Sequence, residues 1–216
     1  MPFALRHSRD PRPVLSALPA FEAAPESRPE TMASLHGRPV RDMRRRMERG
    51  HVAWVARLDG HVAGWGWIAT REAEIGEIGR SFRLPDGDRY LWNFATAPAF
   101  RGLGVYPRLL DAMVVARSRY ADRFWVACAP ENHASAAGIR KAGFRFVARL
   151  SFDRSGAPAL KPTIEPEAAR LARLLDLPLS RDGLAACWRC ARAGRGAMSC
   201  APGRCRCDYQ QPQLAC

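Results

Sequence analysis

Residues 91–144 constrain the fold more than any other part of this 216-residue chain. The stretch opens LWNFATAPAFRGLGVYPRLLDAM and closes ENHASAAGIRKAGF. Residues 90–97 form an apolar, strand-like run that stops at Pro98. Residues 105–119 place Tyr106, Leu109, Leu110, Met113 and Val114 at helical spacing on one face. Pro107 falls in the first turn of that helix, where a missing N–H costs little. A strand over 124–129, a helix over 132–142 and a half-buried strand over 144–152 follow. This order predicts an α/β domain with a sheet flanked by helices.

Between the first strand and the first helix lies Phe100-Arg101-Gly102-Leu103-Gly104-Val105-Tyr106. Two glycines let the backbone turn tightly and approach a ligand closely, because neither has a Cβ. The first N–H groups of the following helix have no partner within it, and with the helix dipole they favour an anion such as a pyrophosphate. Arg101 adds a charge-assisted contact. A glycine-rich turn before a helix is common, so the loop alone is a weak signal; its neighbours give it meaning.

The order strand, Arg-Gly-x-Gly-Val, helix, strand, Asn, Lys-x-Gly-Phe resembles the GNAT N-acetyltransferase superfamily, over roughly residues 51–152. A dinucleotide-binding Rossmann motif is disfavoured because its third glycine is absent. The resemblance implies a mixed, mainly antiparallel sheet flanked by helices, and transfer of an acetyl group from acetyl-CoA to an amine. It implies that Arg101, Gly102, Leu103, Gly104, Val105 and Tyr106 hold the coenzyme pyrophosphate. It further implies that Phe94, Ala95, Thr96 and Ala97 pair with the pantetheine arm and that Asn132 contacts the coenzyme. The sequence departs from the family pattern in three places. Tyr106 stands where a second Gly or Ala is usual, Ile139 stands where many members carry a proton-donating tyrosine, and the first family strand is not obvious near the N-terminus.

Attack of an amine on a thioester needs a neutral amine, a polarised carbonyl and a protonated exit for the thiolate. Glu74 and Glu77 precede the central strand and are candidate bases, with Glu77 preferred; the null alternative is a solvated charge. Asn93 sits on that strand and can orient acceptor or water. Tyr106 is the phenol nearest the loop and the candidate replacement for the missing donor. His133 reads as exposed, and Arg140 and Lys141 as neighbours of the adenosine phosphates.

The flanks say less. Residues 1–30 contain six prolines and read as a loosely ordered arm with one short helix over 14–21. Residues 31–155 form the acyltransferase-like unit, 156–186 a linker and C-terminal helix, and 187–216 a Cys-rich tail. Within the main unit, residues 33–49 read as a helix that Gly37 and Pro39 can break. Residues 51–58 and 61–70 flank Asp59-Gly60 as a hairpin, with Trp54, Trp65 and Trp67 as sheet packing. Residues 71–89 read as a turn-rich connection, and 166–175 as a further amphipathic helix.

The net charge of +13 invites a nucleic-acid reading. However, the excess is +4 over residues 1–50, +5 over 51–150 and +4 over 151–216, so it is spread rather than concentrated. Only Lys141 and Lys161 are lysines, which points to GC-rich bacterial coding rather than a basic interface. No run without formal charge exceeds the eleven residues of 60–70, too short to cross a bilayer, and no signal-peptide core is evident. The expectation is a cytoplasmic protein with an amine acceptor of unknown identity, without membrane or nucleic-acid partners.

Six of seven cysteines lie in the last 30 residues. Cys187, Cys190, Cys200, Cys205 and Cys207 have spacings able to place thiolates on one zinc or in an iron–sulfur centre; a composition-biased tail is the equal alternative. Two other readings of the whole chain stay open: a non-catalytic acyl-CoA-binding regulatory module, and a metal-dependent nucleic-acid-binding protein.

Overall fold

The computed structural model describes residues 1–152 and 157–181. The elements are β1 (Pro2–His7), β2 (Phe21–Glu26), α1 (Pro29–His36), α2 (Val40–Glu48), β3 (His51–Leu58) and β4 (His61–Ala69). They continue with β5 (Glu72–Ile75), β6 (Arg80–Arg83), β7 (Gly87–Thr96), a 3-10 turn (Pro98–Phe100) and α3 (Val105–Arg117). The remaining elements are β8 (Ala121–Ala127), α4 (His133–Lys141), β9 (Arg145–Phe152), β10 (Pro158–Pro162) and α5 (Glu165–Leu175). Eight strands form one sheet in the order β10-β9-β1-β8-β7-β4-β3-β2, and β5 and β6 make a separate hairpin. Every neighbouring pair in the large sheet is antiparallel except β7 and β8. This is the mixed, mainly antiparallel sheet that the family resemblance implies.

Apolar side chains cover both faces. On one, Leu109, Leu110 and Met113 of α3 and Ile139 of α4 pack on Ile68, Leu91, Phe124 and Val126. On the other, α1 and α2 bring Met32 and Met43 onto Val55 and Trp67, while α5 brings Leu171 and Leu175 towards Phe3, Trp125 and Val147. At ~25 cal/mol per Å2 of apolar surface buried, these two layers are the main driving force for assembly.

The N-terminal residues require a correction. The loosely ordered arm expected over 1–30 instead supplies β1, which sits between β8 and β9 and pairs antiparallel with both. Phe3, Ala4 and Leu5 are fully buried. The arm's apolar run is too short to stand out beside Arg6, which reads as a surface charge. Arg6 is in fact 1% exposed and held internally, its Nη1 donating to Asp111 Oδ1 at 2.8 Å and to the Ala142 carbonyl at 3.0 Å. The boundary expected at residue 30 therefore falls within one sheet, as does that at 155, because β10 pairs with β9. Residues 14–21 contain no helix; β2 begins at Phe21. The single helix expected over 33–49 is two, divided where Gly37 adopts a left-handed φ of 58° and Pro39 follows. The connection over 71–89 holds the β5–β6 hairpin and the start of β7.

β7 positions the site. Its parallel pairing with β8 ends at Leu91↔Val126, whereas its antiparallel pairing with β4 continues to Gly64↔Thr96. The strand pair therefore parts after Leu91. At the parting, Asn93 has φ +54° and the β4 register shifts by one residue, a β-bulge. Asparagine tolerates this left-handed backbone better than most side chains. The bulge switches the pleat, so Trp92 joins the α2 side of the sheet and Phe94 the α3 side. Gly66 sits opposite, and a Cβ there would lie 2.2 Å from Phe94 Cδ1. The strand opposite the bulge needs a glycine to seat that ring.

Candidate active site

Where β7 leaves β8, a cavity of about 270 Å3 opens between β7, the loop before α3, and α4. Its lining includes Phe94, Ala95, Thr96, Arg101, Gly102, Gly104, Val105, Tyr106 and Asn132, all singled out from the sequence. Ala97 and Leu103 are not among its lining residues. The Ala97 N–H donates to the Ala63 carbonyl at 2.9 Å, and the Leu103 side chain is exposed. Asn93, exposed at the bulge, and Glu77, exposed in the β5–β6 turn, also lie outside this lining. Glu77 is still electrostatically close to β7, because its charge reinforces the burial that raises the Tyr90 phenol pKa. Cys187, Cys190, Cys200, Cys205 and Cys207 lie outside the described residues. Among the described residues no group of three His, Cys, Asp or Glu side chains is placed to hold a metal.

Gly102 and Gly104 both have φ near +80°, at 80° and 77°, and Gly104 is the N-cap of α3. With Gly104 as N-cap, no side chain caps the first N–H groups of α3, and Gly104, Val105 and Tyr106 line the cavity. Arg101 donates to the Thr96 carbonyl at 3.4 Å, linking the loop back to the open end of β7. Arg108, one turn into α3, donates to the Gly104 carbonyl at 2.8 Å and to the Ser16 carbonyl. Sequence reading passed over Arg108. Its signal was a cation one turn beyond the glycines.

The α4 wall is made of small residues. Ala134, Ala137 and Gly138 line the cavity with Ser135 and Lys141, following the i, i+3, i+4, i+7 spacing of one helix face. That stripe was legible as ENHASAAGIRK but reads equally as ordinary helix packing. Asn132 caps α4: its Oδ1 accepts the Ser135 N–H at 2.8 Å, so it organises the wall that it also lines. Tyr106 lies against Gly138, where a Cβ would be 2.5 Å from its ring, and 5.2 Å from the Phe94 ring. Its hydroxyl accepts from the Ser135 hydroxyl at 3.4 Å. Ile139 is fully buried against α3 and the sheet and does not face the cavity. Cys128, just past β8, is buried with its thiol pKa pushed up to about 11 chiefly by burial, so it is a neutral thiol at physiological pH.

On the opposite side of β7, one Trp–His pair ties β4 to the end of α1 and a second ties β7 to the start of β3. Trp67 Nε1 donates to His36 Nε2 at 3.0 Å, and Trp92 Nε1 donates to His51 Nδ1 at 3.2 Å. Burial first, then nearby arginines, hold both imidazoles down at about 4. The unfolded chain therefore takes up protons between pH 6.5 and about 4 that the folded chain refuses. Stability is complete above pH 6.5 and falls as pH drops through that window. Each imidazole contributes at most about 1.4 kcal/mol per pH unit, reduced by solvent screening. Urea unfolding at pH 7, 6, 5 and 4 should show this slope, and His51→Gln should flatten it. An unchanged slope in that variant would remove His51 from the account.

A sheet parted between two parallel strands, beside a helix start without a side-chain cap, is the frame of the site. The chain belongs to the GNAT family: residues 18–144 match the Acetyltransferase (GNAT) family. No curated protein sequence is significantly similar to the chain. Among solved structures, a GNAT-family acetyltransferase from Novosphingobium aromaticivorans is similar at 19% identity with a TM-score of 0.43, over 67% of this chain and 59% of that one. The aminoglycoside acetyltransferase AAC(6')-Iy, in complex with a bisubstrate analogue, is similar at 18% identity with a TM-score of 0.47, over 62% of this chain and 97% of that one. An aminoglycoside acetyltransferase from an uncultured soil metagenomic sample is similar at 22% identity with a TM-score of 0.44, over 62% and 96%. No helix among the described residues is long and apolar enough to cross a membrane.

Proposed function

We propose that this chain is an N-acetyltransferase that moves an acetyl group from acetyl-CoA to a primary amine, as a bacterial cytoplasmic enzyme. One observation carries the reading: the parting of β7 from β8 beside the Gly102–Gly104 turn, with a lined cavity between. The residues present fit the coenzyme. Gly104 leaves its α3 start without a side-chain cap, and the α4 wall is small enough to admit a ligand. Acetyl-CoA supplies an activated thioester. In this reading the α3 N–H groups, with Arg101 and Arg108, bind its pyrophosphate, and Lys141 adds charge at the cavity edge. The backbone of Phe94, Ala95, Thr96 and Ala97 orients the pantetheine arm, and Asn132 keeps α4 in register beside it.

The proton inventory follows from the same side chains. Ile139 is in the core and has no proton to give, so Tyr106 takes the role of donor to the departing thiolate. It is a phenol inside the cavity, with Ser135 at its hydroxyl. Asn93 orients the acceptor at the bulge, and Glu77 accepts the amine proton through water.

Calorimetric titration with acetyl-CoA tests the reading. Saturable binding is expected for the native chain, with at least a tenfold loss in Gly104→Glu, which sets a carboxylate in the anion loop. Tyr106→Phe should keep coenzyme affinity but lower kcat by ~10²–10⁴, the usual range for general acid catalysis. Absence of binding by the native chain would sink the coenzyme reading. Full turnover by Tyr106→Phe would remove that residue as donor.

A further inference from the structure

A second cavity, of about 350 Å3, lies across β7 from the first, between α2, the start of β3 and the β5–β6 hairpin. Trp92 lines it and Phe94 lines the other, so only the bulge at Asn93 separates them along the strand. Four arginines face this second cavity: Arg38, Arg45, Arg46 and Arg49. Asp42, Glu72 and Glu74 also line it. Arg49 is matched, at 2.5 Å from Glu72. Among the described residues, Arg38, Arg45 and Arg46 form no ion pair.

Arg46 is the best positioned of the three. Its guanidinium carbon lies 4.7 Å from the Trp92 ring centroid and 5.5 Å from that of Trp67, which fixes its plane. Its Nη1 is buried and has no hydrogen-bond partner. Folded proteins seldom leave a buried donor unpaired. Burial first, then Arg38 and Arg45, disfavour its charge while Asp42 favours it, and the lining keeps a formal positive excess of four arginines over three carboxylates. A planar guanidinium in such a place suits a carboxylate or phosphate, which can accept two N–H bonds at once. His51, whose Nδ1 accepts from Trp92 Nε1, is held neutral chiefly by burial and then by nearby arginines, so it adds no competing charge.

We infer that this cavity is the acceptor site and that the acceptor is a small amine carrying its own carboxylate or phosphate. The anion would sit on Arg46, flanked by Arg38 and Arg45, with the amine directed past Trp92 to the bulge. Glu74 and Asp42 supply the opposite charge that an ammonium group needs before it loses its proton. A polycation meets a lining in which arginines outnumber carboxylates and is disfavoured. The size also favours an amino-acid-scale ligand, since 350 Å3 is at the small end of ligand cavities. The inference rests on the acetyltransferase reading for its chemistry, but the anion site itself does not require the coenzyme.

The test is calorimetric titration of the full chain, without acetyl-CoA, with β-alanine, O-phosphoethanolamine and spermidine. At least one anionic amine should bind saturably, and spermidine should not. Arg46→Met should weaken the bound probe at least tenfold, and Arg46→Lys should recover part of the loss. Thermal unfolding of both variants confirms that they are folded, and Arg119→Met on the far surface should change nothing. The tighter of β-alanine and O-phosphoethanolamine identifies the anion as carboxylate or phosphate. Spermidine binding more tightly than both, neither anionic amine binding, or affinity unchanged in Arg46→Met would each overturn the inference. Because acetyl-CoA is absent, these results are separate from any failure of coenzyme binding, which the Gly104→Glu titration reads.

Discussion

Asp88→Ala is expected to cost about 3–5 kcal/mol, the usual cost of removing one partner from a buried charge network. Asp88 is fully buried at the start of β7. Its Oδ1 accepts from Arg123 Nε at 2.6 Å and Arg170 Nη2 at 3.0 Å, and its Oδ2 accepts from Trp125 Nε1 at 3.0 Å. One carboxylate thereby ties β7 to β8 and to α5. Removing it leaves the Trp125 N–H buried without a partner and two guanidinium groups uncompensated. The arginine side chains are 21% and 35% exposed and can turn partly to water, which places the loss at the lower end of the range. A few kcal/mol is a large fraction of the ~5–15 kcal/mol that holds a typical domain. Asp88→Asn keeps a carbonyl for Trp125 and should lose less. Urea unfolding of the three proteins reads the effect; a loss under about 1 kcal/mol in Asp88→Ala would show that the network is dispensable.

Gly66→Ala tests the bulge rather than the core. The new methyl would sit 2.2 and 2.3 Å from Phe94 Cδ1 and Cε1, a distance no packed pair tolerates. Gly66 is not in the left-handed region, so the alanine backbone is unstrained and the side chain alone acts. The ring lines the cavity, so displacing it from Gly66 moves it towards that space. Stability should fall by only ~1–3 kcal/mol, as for other overpacked sites, whereas acetyl-CoA affinity should fall at least tenfold. The double change with Phe94→Ala removes the clash and should restore part of the affinity. Equal coenzyme affinity in Gly66→Ala and the native chain would mean that Phe94 does not shape the coenzyme cavity.

Much of the coenzyme-side cavity was legible because its parts are close in sequence. The strand, the Gly102–Gly104 turn and α3 span residues 87–117, and α4 follows after one strand. Local signals suffice for such a unit: glycines where φ is positive, proline in a first helical turn, apolar spacing that changes from strand to helix. Ile139 was also legible as a departure, although only its burial in the core shows that it has no access to the cavity. Glu77 was selected from order alone. In the fold it lies in the turn of a separate hairpin, and Glu74 is the hairpin carboxylate that lines a cavity.

What the sequence determined by itself was the succession of elements from β7 to β9, the Gly102–Gly104 turn and the family pattern, because each depends on neighbours a few residues apart. What tertiary structure decided was which distant residues meet. β1 enters the middle of the sheet from the far end of the chain, and Arg6 is buried because Asp111 and the Ala142 carbonyl receive it. The second cavity joins α2, β3, the β5–β6 hairpin and β7, and no local pattern announces a pocket made of four separate segments. RDMRRRME reads as a solvated helix face until Trp67 and Trp92 are placed beneath Arg46. Burial is a property of what packs on a residue, so a charge's role became visible only when its neighbours did.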